Sequence, residues 1–184
     1  MIEAIYARRA VRAYSPRTVD ENVIRSLLTA AVQAPSAMNG QPWTFAIIQE
    51  VARLKRYSDR AKVMLLEASA DSKTRRYDAM LRDDHFNIFY DATTLIVICA
   101  AERDPYTDAN CWLAAQNVML AAADSGLGTC PIGFAVSVLN TAEVKAELHI
   151  PESGAAVAPI VVGYPSTTPP VVARHEPRII SWCR

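Results

Sequence analysis

Three arginines, Arg8, Arg9 and Arg12, lie close together near the N-terminus. The apolar residues between Ile2 and about Val11 predict a short helix, on which the three side chains would be neighbours. Like charges at this spacing repel, so a bound anion would stabilise them, and guanidinium groups are suited to bidentate contact with phosphate. The cluster therefore indicates either a phosphate site or a solvated basic surface at a helix end.

A polar loop between Pro35 and Pro42 is the second candidate site. It carries Ser36, Asn39 and Gln41, whose hydroxyl and amide groups donate and accept hydrogen bonds. Such groups suit a polyhydroxyl chain or the edge of a heteroaromatic ring. They also suit a plain helix-to-strand connection in which side chains bond their own backbone. Taken alone, the loop favours the plain connection.

A glycine-rich segment, Gly126–Phe134, is the third candidate. Its three glycines do not form the GxGxxG pattern between a strand and a helix, so the dinucleotide fingerprint does not apply. Small residues here either let backbone amides approach a ligand or cap the preceding helix. Further along, Arg174 lies beside His175 and near Arg178, which by itself is typical of a surface charge cluster.

The other reactive side chains follow no catalytic or metal-binding pattern. The four cysteines contain no CxxC pair, and no histidine is spaced to complete a zinc site. Cys99 lies in an apolar run and is expected to be a small core residue. The histidines His85, His149 and His175 have no local partner pattern and are expected to be structural or exposed. We therefore predict reduced thiols, no metal and no catalytic protein side chain.

Composition predicts an ordinary globular protein. The 184 residues include 51% hydrophobic and 21% charged residues, with 19 basic and 19 acidic side chains. This neutral balance argues against a general nucleic-acid binder. Both ends are basic. Residues 1–17 contain four arginines and one glutamate, and residues 164–184 contain three arginines and one glutamate. No signal-peptide pattern is visible, and the apolar stretch Leu95–Ala101 is too short to span a bilayer, so a cytoplasmic location is expected.

The elements that must position these residues are predicted from apolar periodicity. Continuous apolar runs indicate buried strands, and apolar residues at helical spacing indicate helices. A capping box at Thr18–Glu21 is predicted to open a helix that Pro35 ends. The remaining predictions are strands at Trp43–Ile48, Thr94–Ala100 and Ala156–Val162, a charged helical region at 51–82, a buried helix at Asp108–Ser125 and a short helix from Asn140. The result is an α+β fold with a sheet of three to five strands.

The C-terminal segment Pro165–Arg184 has the pattern of an extended arm. Four prolines exclude a regular helix, yet the segment ends with Ile179, Ile180 and Trp182. An apolar arm needs a surface to lie on, either its own domain or a second subunit.

Taken in order, these segments resemble the FMN-dependent nitroreductase family. The similarity runs from Ile5 to Trp182, and its most specific part is PSxxNxQPW at Pro35–Trp43. The other matching motifs are Arg8-Arg9-Ala10-Val11-Arg12, Asp91-Ala92 before a buried strand, Gly126–Gly133, and Gly163-Tyr164-Pro165 followed by Arg174 and Trp182.

The resemblance implies a single nitroreductase-like FMN-binding domain over residues 1–184. Its fold would be a central, mostly antiparallel sheet flanked by helices. It also implies an intertwined homodimer with non-covalent FMN at the subunit interface, in which residues 165–184 wrap the partner subunit. Neither nucleic acid nor a membrane is an implied partner.

The resemblance also assigns roles to individual residues. Arg8, Arg9 and Arg174 resemble ligands of the FMN phosphate or ribityl chain, and Arg12 resembles the cation near the flavin N1–C2 carbonyl. A positive charge there would stabilise the reduced, anionic flavin. Ser36 and Asn39 resemble residues that reach the flavin of the other subunit, and Gly133 offers a backbone N–H near N5. The full set of expected cofactor-binding residues is Arg8, Arg9, Ala10, Arg12, Pro35, Ser36, Asn39, Gln41, Pro131, Ile132, Gly133 and Arg174.

One position departs from the family pattern. Ala10 stands where the family usually has serine, so one hydroxyl contact to the phosphate is missing. A neutral hydrogen bond contributes about 1 kcal/mol, so weaker FMN retention is expected but not its loss.

The implied activity is hydride transfer from NAD(P)H through FMN to an electron-poor acceptor, such as a nitroaromatic or a quinone, by a ping-pong cycle. The chemistry would be carried by the flavin, so no acid–base residue is named. Two alternatives remain open. One is a flavin-binding carrier or sensor without turnover, and the other is a specialised enzyme that oxidises or fragments a particular metabolite.

Overall fold

Four antiparallel strands form the central sheet of the protein, whose computed structural model describes residues 2–68 and 76–184. The strands are β1 (Trp43–Ile48), β2 (Thr94–Ala100), β3 (Gly128–Pro131) and β4 (Ala155–Gly163). Their order in the sheet is β1-β2-β4-β3. Every residue of β2 and β4 is buried, so both faces of the sheet are covered. The expected α+β fold with an antiparallel sheet is confirmed.

Helices cover both faces of this sheet. They are α1 (Ile2–Ala7), α2 (Glu21–Ala31), α3 (Val51–Ala68), α4 (Asp78–Leu81), α5 (Thr107–Asp124), α6 (Val136–Leu139) and α7 (Ala142–Glu147), with 3₁₀ turns at Ala37–Asn39 and Gly133–Ala135. Alternate residues of β2 enter two separate cores, as the period of a strand requires. Ile96 and Ile98 pack with α2 and α5, whereas Leu95 and Val97 pack with α3 and α6.

The predicted elements agree with the structure except at the ends of some helices and of one strand. The strands at Trp43–Ile48 and Thr94–Ala100 have the predicted bounds, and the other predicted strand and the long helix differ by one residue at each end. Thr18 is not the N-cap of α2, because Asp20 accepts the N–H of Asn22 at 2.8 Å instead. That helix also ends earlier than predicted, at Ala31, and a turn continues to Ala34 before Pro35. Of the helical region 51–82, residues 69–75 lie outside the described residues.

The N-terminal arginines are not on a helix, contrary to expectation. Helix α1 ends at Ala7, and the following residues run beside β3. The N–H of Val11 donates to the carbonyl of Thr129 at 2.9 Å, and Ala10 forms a parallel bridge with Thr129. Buried Val11 packs against Gly128, where an added Cβ would lie 2.7 Å from the Val11 Cβ. Pairing with β3 therefore replaces the predicted helical turn.

Strand β3 was not predicted. The sequence there suggested only a helix cap and a turn, because the strand is four residues long and begins with a glycine. Gly126, at φ +73°, ends α5 as predicted, and the chain then pairs directly with the end of β4. The side chain missing from Gly128 is what lets a neighbouring segment approach this edge.

Apolar side chains remain exposed on one helix and along the arm. Helix α5 was predicted to be buried, yet Trp112 and Leu113 are 41% and 45% exposed. The segment after Pro165 forms no helix or strand, as predicted, and Ile180 and Trp182 are exposed along it. These side chains leave apolar surface exposed in a single chain.

Within the described residues, no helix has the length and apolar character needed to cross a membrane. Cys99, Cys111 and Cys130 are buried free thiols, and Cys183 is an exposed one. No group of three or more His, Cys, Asp or Glu side chains in the described parts of the chain is arranged to hold a metal ion.

Candidate functional site

Two cavities lie along the edge of the sheet formed by β3. The larger, about 300 Å³, is lined by Arg12 on one segment and by Cys130–Phe134 on another. The second, about 200 Å³, is lined by Arg8, Arg9 and Thr129 and by Pro165 and Pro169 at the start of the arm. The extended course of residues 8–12 thus distributes the arginines along this edge.

The guanidinium groups here differ in their partners. Arg9 donates from Nη1 to the carbonyls of Tyr6 (2.5 Å) and Arg8 (2.8 Å), so it caps the end of α1. The guanidinium of half-buried Arg8 makes no hydrogen bond or ion pair with any described residue. Arg12 also has no carboxylate partner among them. Two arginines without carboxylate partners therefore lie at one edge, and guanidinium groups in this state are suited to contact with an anion.

Arg12 lies next to a tyrosine and a thiol. Its guanidinium carbon is 5.9 Å from the centre of the Tyr90 ring. Burial lowers the pKa of Arg12, but Cys130 and Tyr90 raise it, and the net shift is upward, so the charge is retained. The pKa of the Cys130 thiol is raised by burial against the opposing effect of Arg12. Burial therefore favours the neutral form of the Cys130 thiol.

Gly133 borders the larger cavity, and neither its backbone conformation nor its protein neighbours require a glycine there. Its φ lies outside the left-handed region, and a Cβ built there meets no heavy atom within 4 Å. It is exposed, and it follows buried Ile132, whose N–H donates to the carbonyl of Pro159 at 2.9 Å. A rigid backbone that leaves space where a side chain would stand can accept the flat face of a ligand. Gly128, in contrast, is required by its contact with Val11.

The polar loop between Pro35 and Pro42 has an unusual backbone. Met38, Asn39 and Gln41 have φ values of 52°, 54° and 45°, which non-glycine residues rarely adopt. Ser36 bonds its own loop, since its Oγ accepts the Gln41 N–H at 3.0 Å. The exposed side chains of Asn39 and Gln41 bond no described residue. Such backbone strain is commonly retained at functional sites.

This loop and the arginines lie at opposite corners of the sheet. The loop leads into Trp43, which pairs with Ala100, and Ala100 pairs with Ala155 at the start of β4. Strand β3 pairs only with the end of β4, from Ile160 to Gly163. Going from one corner to the other crosses three strand spacings and runs five residues along β4. The two directions together give a separation of roughly 20 Å. Within one chain, the two groups of predicted site residues do not meet.

Of the predicted residues, Arg8, Arg9, Arg12, Pro131, Ile132 and Gly133 line the two edge cavities. Ala10 lies between them, paired with Thr129. Arg174 is exposed on the arm and lines neither cavity. The lining of the larger cavity also includes Cys130 and Phe134, which lie in the glycine-rich candidate segment but had no role assigned to them. Four further lining residues, Tyr77, Met80, Ile88 and Tyr90, were not predicted, and no motif in the sequence marks them.

The segment that carries Ile88 and Tyr90 is held from helix α3. Lys62 is buried, and its Nζ donates to the carbonyls of Asp83 (2.7 Å) and Phe86 (3.0 Å). The Ile88 N–H donates to the hydroxyl of Ser58 at 3.0 Å. Tyr90 has a left-handed φ of 54°. These contacts hold the segment through which Ile88 and Tyr90 line the larger cavity.

The antiparallel sheet, its two helical layers and the arginine-lined edge define a nitroreductase-type α+β protein. The family model for the Nitroreductase family matches residues 5–164, and the chain belongs to this family.

Similar proteins cover nearly the whole chain. A 5,6-dimethylbenzimidazole synthase of Rhodospirillum rubrum is 31% identical over 175 residues, covering 89% of this chain and 81% of the relative. A protein of Archaeoglobus fulgidus has the provisional name NADH dehydrogenase/NAD(P)H nitroreductase. It is 29% identical over 169 residues, covering 89% of this chain and 84% of the relative. The crystal structure of a Bacteroides fragilis nitroreductase with bound FMN matches with a TM-score of 0.82 at 24% identity, over 98% of each chain.

Proposed function

We infer that the protein is an FMN-dependent oxidoreductase that transfers hydride from NAD(P)H to an electron-poor acceptor, such as a nitroaromatic or a quinone, in a ping-pong cycle. The observation that carries this proposal is the β3 edge. There, Arg8 and Arg12 lack carboxylate partners in the described chain, and Gly133 leaves open space beside them. FMN offers the matching chemistry, namely an anionic phosphate and a flat ring. The names of the Archaeoglobus relative and of the Bacteroides structure support nicotinamide and FMN, respectively.

The residues present fit this cofactor. Arg8 would bind the phosphate, and Arg12 would place positive charge beside the ring. Gly133 and its neighbours Pro131 and Ile132 would support the ring from the backbone. FMN would supply the acceptor and donor of hydride, so the protein needs no nucleophile or metal for the reaction. Its own contribution would be binding, orientation and charge.

A homodimer would complete the site. The loop that carries Ser36, Asn39 and Gln41 is roughly 20 Å from the arginine edge of its own chain, so a contribution to the same cofactor requires a second copy. Exposed Trp112 on α5 and exposed Trp182 on the arm offer apolar surface for that copy. We propose that the arm, residues 165–184, wraps the partner and carries Arg174 to the phosphate.

The absorbance spectrum of the purified protein, followed by anaerobic titration with NADH and NADPH, tests the function directly. We expect a flavin spectrum that bleaches with one of the two nucleotides and recovers on adding an acceptor. Protein that stays colourless with added FMN contradicts the proposal. Bound flavin that neither nucleotide bleaches contradicts NAD(P)H-dependent turnover, and it is expected both of a carrier or sensor and of the specialised enzyme.

The phosphate assignment is tested with Arg8→Ala. A hydrogen bond to a charged group contributes about 1.5–3 kcal/mol, so FMN binding should weaken by roughly 10- to 150-fold. Arg174→Ala should act in the same direction. The matched control is Arg25→Ala, since the guanidinium of Arg25 pairs with Glu21 at 2.5 Å on the exposed surface of α2. Wild-type FMN affinity in both the Arg8 and Arg174 variants would show that the phosphate lies elsewhere.

The similarity to a 5,6-dimethylbenzimidazole synthase favours a second candidate, a specialised enzyme that oxidises or fragments one metabolite. It shares the cofactor site but does not require NAD(P)H. Flavin that dithionite reduces and oxygen then reoxidises, without NAD(P)H-driven turnover of nitroaromatics or quinones, would support this candidate.

A further inference from the structure

The ring of Tyr90 lies beside the guanidinium of Arg12. The guanidinium carbon is 5.9 Å from the ring centre, within the range at which a cation is attracted to an aromatic ring. The two side chains come from distant segments of the chain, and both line the larger cavity. Arg12 is long and exposed, so its guanidinium would otherwise sample many positions. The contact with Tyr90 therefore restricts where this positive charge lies.

The backbone holds Tyr90 firmly in this place. Tyr90 and Asp91 have left-handed φ values of 54° and 55°, which non-glycine residues rarely adopt. The Tyr90 N–H donates to the carbonyl of Asn87 at 2.9 Å, and the Tyr90 ring packs edge-to-face with Phe86 at a centre distance of 5.9 Å. The Phe86 carbonyl is in turn bound by Lys62 of α3 at 3.0 Å. Two strained residues in succession persist only where the surrounding structure holds them, and such strain is concentrated at functional sites.

Arg12 also lines a third cavity, which contains a carboxylate. This cavity of about 340 Å³ shares Arg12 and Tyr90 with the larger one, and Asp91 is among its other lining residues. Asp91 forms no ion pair with Arg12, and its Oδ1 accepts a hydrogen bond from Asn87 at 2.9 Å. A guanidinium that turned towards Asp91 would gain an opposite charge and withdraw its own charge from the larger cavity. Tyr90 lies at the boundary between these two positions.

We propose that Tyr90 is a positioning residue for Arg12, holding its guanidinium beside the flavin and thereby favouring reduced over oxidised FMN. The inference rests on the proposed function for the place of the flavin. Two electrons and one proton convert FMN to its reduced anion, and a nearby cation stabilises the added negative charge. A guanidinium displaced from the ring loses this selectivity, because the interaction weakens with distance. Tyr90 thus acts on the reduction potential through Arg12.

The quantity to measure is the ratio of the FMN dissociation constants in the oxidised and the reduced state. The reduction potential of the FMN-loaded protein, relative to that of free FMN, gives this ratio directly. Dithionite is the reductant, and it is oxidised to sulfite. Tyr90→Leu should lower the ratio about two- to fivefold, the range of a partly exposed cation–π contact, or about 9–21 mV for a two-electron couple. Tyr90→Met, a second variant without the ring, should show the same fall, whereas Tyr90→Phe keeps the ring and should retain the wild-type ratio.

Phe86→Leu is the matched control for the loss of an aromatic ring. It removes the same edge-to-face pair, but Phe86 does not line the larger cavity. The ratio should therefore stay at the wild-type value, even where urea unfolding shows that both leucine variants have lost similar stability. In an Arg12→Ala background, Tyr90→Leu should have no further effect on the ratio, because Tyr90 acts through Arg12.

The outcomes separate this inference from the proposed function. A wild-type ratio in both variants without the ring overturns the inference. An undiminished fall in the Arg12→Ala background, or an equal fall in Tyr90→Phe, also overturns it. Since dithionite replaces NAD(P)H, a lowered ratio in a protein that NAD(P)H does not reduce would support the role of Tyr90 and contradict the proposed function. Protein that binds no FMN would overturn both.

Discussion

Replacing Gly133 by alanine is expected to impair FMN binding while leaving the fold intact. The added methyl group meets no protein atom within 4 Å, so it clashes with nothing in the chain. At an unstrained position, a Gly-to-Ala change stabilises a protein by about 0.4–1 kcal/mol, because the unfolded chain loses freedom. If the flavin ring lies against this backbone, the same methyl group displaces it. Losing a backbone hydrogen bond and close contact costs roughly 1–2 kcal/mol, so the Kd for FMN should rise about five- to thirtyfold.

Gly128→Ala is the matched control, because it places the same methyl group against protein. Its Cβ would lie 2.7 Å from the Cβ of Val11, close to the backbone, where neither group can move freely. Forcing an extra methyl group into a packed site costs about 1–3 kcal/mol. The free energy of unfolding of this variant should fall by that amount.

Urea unfolding of the FMN-free proteins, followed by tryptophan fluorescence, measures stability. Quenching of FMN fluorescence on titration with protein measures the Kd. The Gly133 variant is expected to lose FMN affinity and keep its stability, and the Gly128 variant is expected to lose stability. An FMN Kd within twofold of wild type for Gly133→Ala would refute the assignment of Gly133 to the flavin site.

Three further predictions concern the arm and the packing of α3. Truncation after Tyr164 should convert the proposed dimer to monomer in sedimentation equilibrium, and a dimer of unchanged affinity would contradict the wrapping arm. Lys62→Met should lower the free energy of unfolding by about 1–3 kcal/mol, because the partly buried hydrogen bonds from Lys62 to the carbonyls of Asp83 and Phe86 are lost. Urea titration measures this, and a loss below about 0.5 kcal/mol would be inconsistent with it. Burial and a hydrogen bond to a carboxylate raise the pKa of Tyr57 to about 12 from an ordinary value of 10.0, so its contribution to stability is complete below pH 10 and is lost as pH rises towards 12. Urea titrations of wild type and Tyr57→Phe from pH 9 to 12 should therefore show a shallower fall in the variant, by about 2–3 kcal/mol over the range, whereas parallel curves would exclude this role for Tyr57.

Much of the fold could be predicted because it follows from contacts between close neighbours in sequence. Continuous apolar runs located β2 and most of β4, since strands covered on both faces need no polar positions. Apolar residues at helical spacing located α5 to within one residue at each end. The arginine cluster and the motif at Pro35–Trp43 likewise pointed to the family that the comparison of whole chains shows.

The predictions failed where distant segments bond one another. Periodicity near Arg8 indicated a helix, but the backbone there bonds Thr129, a residue more than a hundred positions away. Strand β3 was missed for the same reason, since four residues carry no period of their own and become a strand only beside β4. Local patterns do not reveal such pairings, because the partners are brought together only when the chain folds.

For the candidate site, too, the sequence shows which residue types are present, whereas the fold determines how they are arranged. The residue types that suit a phosphate and a flat ring, the arginines and the glycine-rich turn, are visible in the sequence because each group is contiguous. Their arrangement is not. The fold decides that Arg8 and Arg12 are spread along one edge, that Tyr77 and Phe134 meet as a wall, and that the loop at Ser36 lies on the opposite corner. Each of these depends on strand order and register, which are set by hydrogen bonds and packing between segments far apart in the chain.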